Sequence, residues 1–146
     1  MASDVQMSFA FSISWVSVLL AAVASFVVGW AWFSQRLFGA TWLREMGMTK
    51  ATTERAKKKS MLVTMIAGFV AQVVMAAVLA MIISATGSVG IKEGVVSAFW
   101  MWLGFVATIS FGSILWEHKS ITFFLINVTY WLVALILQGA IIGYWM

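Results

Sequence analysis

Glu117, His118 and Lys119 stand side by side, and a carboxylate beside an imidazole is the minimum equipment for acid–base chemistry. They also form the short link between two long apolar runs, which a hairpin turn at a membrane surface explains equally well. A zinc-type site needs further ligands, and this sequence has one His and no Cys. No catalytic residue, metal or cofactor is therefore expected, and the lack of Cys excludes disulfide frameworks and thiol redox chemistry. The remaining polar groups of interest lie inside apolar runs: Gln72, Thr108, Asn127 and Gln138. An unpaired amide in hydrocarbon is costly, so each should find a partner on a neighbouring helix. Asn127 and Gln138 are eleven residues apart, which puts both on one helix face together with Tyr130. Asn127 is expected to meet the third apolar run or the Ser25 face of the first.

The elements that must position these groups follow from composition. The chain has 146 residues, 63% of them apolar and 10% charged, against about 45–50% and about 25% in soluble domains. So short a chain cannot hide that much apolar surface in a globule, and disorder requires the opposite composition. Four runs, residues 11–33, 61–85, 94–115 and 121–145, contain no Lys, Arg, Asp, Glu or His. Each reaches the roughly 20 residues that cross a hydrocarbon layer about 30 Å thick. The expected fold is all-α: a polytopic membrane protein, one domain over 1–146, built as a four-transmembrane-helix bundle. Ala22-Val23-Ala24 looks like a signal-peptidase site, but the apolar run continues past it, so a retained helix is expected.

Orientation follows from the cations. The first loop, residues 34–60, holds Arg36, Arg44, Lys50, Arg55, Lys57, Lys58 and Lys59; the third adds Lys119; only Lys92 lies on the other side. The positive-inside rule then puts the first and third loops in the cytoplasm and both termini outside. The net charge of +4 is thus a topology signal with no nucleic-acid partner. Arg55, Lys57, Lys58 and Lys59 are expected to meet anionic lipid headgroups, each contributing about 1 kcal/mol. Earlier in the same loop, Leu37, Phe38, Thr41, Trp42 and Met46 against Arg36, Arg44 and Glu45 fit a short amphipathic interfacial helix. Gly47 should break it, and Thr49 should cap a helix running from Lys50 into the second span.

Of nine Trp, Trp15, Trp30, Trp32, Trp42, Trp100, Trp102, Trp116 and Trp145 sit toward run ends or in the basic loop, as in an aromatic belt. Small residues recur every fourth position at Ala21, Ser25 and Gly29, at Gly104, Thr108 and Gly112, and at Gly139 and Gly143. Such stripes let helix backbones approach closely, within a chain or between chains.

Gly29, Trp30-Ala31-Trp32-Phe33-Ser34-Gln35, then Phe38-Gly39 and Trp42, resembles the pattern of small bacterial membrane proteins known only as domain of unknown function 1761. A second match runs from Glu117-His118-Lys119-Ser120 through Phe123-Phe124-Leu125-Ile126-Asn127-Val128-Thr129-Tyr130 to Gly139. Phe33 stands where that pattern has Tyr, and Gln35 where it has Pro. The resemblance implies four helices and an inner-membrane location, and brings no activity.

By helical rise, both motif stretches belong to the cytoplasmic half. A site, if present, would be an inward-facing pocket lined by Trp30, Trp32, Arg36, Glu117, Asn127 and Tyr130, with Arg36 and Glu117 paired. Proton-coupled antiport uses an intramembrane carboxylate, which these runs lack. The expected function is a non-enzymatic transmembrane module that self-associates or joins a larger membrane complex. The alternative is a small transporter or channel for a neutral or lipophilic solute, with a membrane enzyme ranked third.

Overall fold

A computed structural model describes residues 13–58 and 61–146. The described residues form helices α1 (Trp15–Trp32), α2 (Gly39–Glu45), α3 (Lys50–Lys58), α4 (Met61–Ala85), α5 (Ile91–Leu115) and α6 (Ile121–Trp145). α1, α4, α5 and α6 are long and apolar enough to span a membrane. Residues 11 and 12, at the expected start of the first span, lie outside the described residues, as does Lys59.

Hydroxyl caps begin the helices where Ser or Thr precedes an apolar or charged run. Ser14 Oγ accepts from the Ser17 N–H (3.4 Å), Thr49 Oγ1 from Thr52 (3.3 Å) and Ser120 Oγ from Phe123 (3.1 Å). Each satisfies an amide that the first helical turn leaves unpaired. As expected, α2 does not continue through Gly47, which follows its last turn with a φ of +71° that suits glycine. α2 itself is present, but it folds onto the start of α6 and half-buries Trp42 there.

The third span starts at Ile91, earlier than the expected 94, and so takes in Lys92 and Glu93. An uncharged run underestimates this helix because charges at its first turn face outward, where Glu93 complements the helix dipole. The extra turn has a packing purpose. A Cβ at Gly139 would overlap the Gly94 carbonyl oxygen, and one at Gly143 would overlap that of Gly90. The backbones of α5 and α6 thus touch through glycines on both sides. Between Trp102 and Ala107, α5 widens into a π-helical turn.

α6 is the central helix, packed along its length against α1 on one side and α5 on the other, with α4 lying on α1. The interior is built from small and medium residues, among them Val18, Ala21, Ala22, Ala76, Ala80 and Ala98. Large apolar side chains such as Leu19, Val27, Ile66, Phe105 and Ile109 point outward. That inversion is what hydrocarbon solvent calls for, since association there depends on close packing and not on hiding apolar surface. α4 and α5 barely meet. Between them opens an apolar cleft of about 540 Å³, walled by Met75, Leu79 and Ile82 on α4, Met101 and Phe105 on α5, and floored by Leu135.

Candidate functional site

Three indole N–H groups converge on consecutive residues of α6. Trp32 of α1 donates to the Ile126 carbonyl (3.2 Å), Trp42 of α2 to Asn127 Oδ1 (3.3 Å), and Trp102 of α5 to the Val128 carbonyl (2.9 Å). An indole in hydrocarbon needs an acceptor, and a helix interior offers only carbonyls that already accept once, each with a second lone pair to give. These bonds tie three elements to one turn of α6. Trp32, Trp42 and Trp102 are therefore packing residues of the bundle, whereas belt positions would leave their N–H groups at the headgroups.

Aromatic contacts thicken the same region. Phe33 meets Trp42 (5.3 Å between centroids) and Tyr130 (5.1 Å), and Trp32 meets Phe38 (4.7 Å). Trp42 stacks on Phe123 at 6.4 Å, and Lys119 Nζ stands 5.5 Å from the same ring. Ser120 Oγ, the cap of α6, also hydrogen-bonds Glu45 Oε2, fastening the end of α2 to the start of α6.

Tyr130 connects this aromatic layer to a buried polar quartet. Its hydroxyl accepts from Gln72 Nε2 on α4 (2.9 Å). Gln138 Nε2 on α6 donates to Ser25 Oγ on α1 (2.8 Å) and to Gln72 Oε1 (3.0 Å). Ser25 Oγ lies within donating distance of Gln72 Oε1 (3.0 Å) and of the Ala21 carbonyl (2.9 Å) in its own helix. Ser25, Gln72, Gln138 and Tyr130 are all buried. Gly29 makes room for the phenol, since a Cβ there would come within 2.7 Å of the Tyr130 oxygen.

Of the six residues expected to line an inward pocket, the structure brings together Trp32, Asn127 and Tyr130. Trp30 is 73% exposed. Arg36 and Glu117 are also exposed, and among the described residues they form no ion pair with each other. Asn127 finds neither α5 nor the Ser25 face: its Nδ2 donates to the Phe123 carbonyl (2.8 Å), and its Oδ1 takes the Trp42 indole. The reason is that α2 folds back over the start of α6, while Ser25 sits deeper and is engaged by the two glutamines. Thr108 is exposed and bonds the Gly104 carbonyl of its own helix (2.7 Å), so it stands apart from the quartet.

Among the small residues, Ser25, Gly29, Gly139 and Gly143 face neighbours within the chain. Gly104 has open space around it, and a Cβ at Gly112 would touch only Trp116 (3.6 Å). Arg55 is exposed on α3; Lys57 and Lys58 belong to the same helix, their side chains outside the described residues. Among the described residues no group of His, Asp or Glu could hold a metal. His118 sits in the turn with a φ of +52°. It is exposed, like Glu117.

A family model described as a protein of unknown function (DUF1761) matches residues 16–143, from the first turn of α1 to the last of α6. No curated protein and no solved structure matches the chain.

Proposed function

The chain belongs to the DUF1761 family, and we propose that it is a non-enzymatic integral membrane module that self-associates through the outward face of α5. The observation that carries this reading is the contrasting fate of two of the three small-residue stripes. Gly139 and Gly143 are taken up inside the chain against Gly94 and Gly90, whereas nothing lies within 4 Å of a Cβ at Gly104. Thr108, one turn on, is exposed, and α5 is the least buried of the four long helices. A stripe of this kind lets a second helix approach closely. Exposure of Glu117 and His118 in a short turn supports a structural role for that turn.

The test is Gly104→Leu, with mass photometry or subunit photobleaching in lipid nanodiscs. Gly104→Leu should shift the particle toward monomer while thermal stability holds. A wild-type monomer, or an oligomer indifferent to Gly104→Leu and Gly112→Leu, would overturn the proposal.

The eight-to-one Lys/Arg bias supports an inner-membrane setting, with the basic loops in the cytoplasm and both termini outside. Arg55 and its lysine neighbours then reach anionic headgroups. Cysteine introduced at Thr52 should label from the cytoplasmic side and at Ser88 from the other; reversed labelling would refute the topology.

A second reading, passage or storage of a neutral lipophilic solute, is favoured by the apolar cleft between α4 and α5. The π-turn of α5 contributes Phe105 and Val106 to its wall, and π-turns recur at functional sites. This cleft is a different place from the inward pocket at Asn127.

A further inference from the structure

The cleft between α4 and α5 lies wholly within the long apolar helices, so its length reads as membrane depth. Counted from the end where residues 86–90 join the two helices, Ile82 lies about 4.5 Å along α4 and Met75 about 15 Å. On α5, Met101 lies about 15 Å from the same end and Phe105 about 21 Å. Half of a hydrocarbon core is about 15 Å. The cleft therefore occupies the leaflet on the 86–90 side and reaches just past the midplane.

Shape narrows the occupant. Spread over a length of about 16 Å, the cleft's volume of about 540 Å³ gives a cross-section of about 34 Å². A helix about 10–12 Å across needs roughly 80–110 Å² and does not fit. A hydrocarbon chain, whose carbons approach neighbours to about 4 Å, needs roughly 16 Å², so one or two chains do fit. All eight wall residues are apolar, which leaves water without a partner. The cleft is also a recess, unlike ordinary lipid-facing surface: Leu79 and Leu135 in its floor are buried, while Val78 and Phe105 in its walls are exposed. Met75 on one wall and Met101 on the other are unbranched and adapt to a flexible chain. At the 86–90 end stands Lys92, the only Lys or Arg outside the basic loops, exposed in the first turn of α5. Among the described residues it forms no ion pair. A cation at that level complements a lipid phosphate.

We propose that the cleft binds the acyl tails of one anionic phospholipid from the leaflet on the 86–90 side, with its phosphate at Lys92. The tails are the chain-shaped apolar occupant that the volume admits, and the headgroup answers the one cation at that depth. Lodged there, they bridge two helices that otherwise barely meet. The proposal rests on the reading of the cleft as a lipophile site and names its ligand. With both termini outside, the lipid belongs to the outer leaflet.

Native mass spectrometry of the full chain, ejected from nanodiscs containing dioleoylphosphatidylglycerol, tests it. Wild type should retain one phosphatidylglycerol per chain. Val78→Trp, which puts an indole into the cleft from an exposed wall position, should remove most of that retention. Val74→Trp, exposed on α4 outside the cleft, should not. Lys92→Gln should weaken retention about five-fold, the effect of one cation near a headgroup surface, and leave binding of hexadecanol unchanged. Hexadecanol has the chain without the phosphate, so it separates the two readings. If hexadecanol binds and Val78→Trp blocks it while phosphatidylglycerol is not retained, the lipophile site stands and the phospholipid proposal falls. If neither binds, both fall. Phosphatidylglycerol retention indifferent to Val78→Trp or to Lys92→Gln would also overturn the proposal, as would a dimer lost in place of lipid. Should Val78→Trp not fold, wild type decides with a diazirine-tailed phosphatidylglycerol. Crosslinks to Met101 and Phe105 should saturate with lipid fraction while those to exposed Ile109 rise in proportion; equal behaviour at both places would overturn the site.

Discussion

Replacing Gly139 by Ala adds one methyl group at the tightest contact of the bundle. Its Cβ would overlap the Gly94 carbonyl oxygen and come within 2.7 Å of the Ala98 Cβ. Neither neighbour can swing away, since one is backbone and the other has no rotamer, so α5 and α6 must separate. Overpacking of this kind costs about 1–3 kcal/mol, and with two rigid neighbours the upper end applies. Ala gains about 1 kcal/mol over Gly in a helix interior, leaving a net loss of about 2 kcal/mol. Gly104→Ala meets open space and should keep the helical gain. The pair therefore differs in sign, although both positions belong to small residues at four-residue spacing. Steric-trapping or denaturant unfolding in lipid bicelles measures both changes. Gly94→Ala should be strongly non-additive with Gly139→Ala, because the two methyls contest one gap. Should Gly139→Ala prove as stable as wild type, the close approach of α5 and α6 would be wrong.

Trp42→Phe keeps the stacking on Phe123 and removes the donor to Asn127 Oδ1, so unfolding free energy should fall by about 0.6–2 kcal/mol. A double-mutant cycle with Asn127→Leu should recover most of that as coupling; zero coupling would dismiss the contact. Gly29→Ala should destabilise by pressing on the Tyr130 hydroxyl, and the loss should shrink in the Tyr130→Phe background, as thermal melts of the four chains would show. Ser120→Ala removes a helix cap and the contact to Glu45, and should cost about 0.5–2 kcal/mol with faster hydrogen exchange in α2.

The four long helices were legible because a charge-free run of about 20 residues has few other uses. Charge also misplaced the start of α5: Lys92 and Glu93 read as loop, while the helix needed that turn to bring Gly90 and Gly94 against α6. Each member of the quartet stood out singly, Ser25 as a packing residue, Gln72 and Gln138 as intramembrane amides and Tyr130 as a pocket wall. Their wiring did not, since it depends on helix rotation and crossing, which a single sequence does not encode locally. Trp42 was hidden for a related reason. An amphipathic helix shows the same pattern whether its apolar face meets lipid or the start of another helix, and α2 turns that face to α6. The π-turn has no compositional trace at all.

The cleft between α4 and α5 follows from two attachments that draw its walls apart. α4 is held by Gln72, whose amide reaches Ser25 on α1 and both Gln138 and Tyr130 on α6. α5 is held on the other side of α6 by the glycine contacts and by the Trp102 indole on the Val128 carbonyl. Residues 86–90 join α4 to α5 closely at one end, but the side chains that the two helices turn to this cleft are neither polar nor small. What remains between them is a wall of Met, Leu, Ile and Phe side chains that hydrocarbon solvates as well as a neighbouring helix does. The bundle therefore stays open along this one seam, and its width is set by the quartet on one side and the glycines on the other.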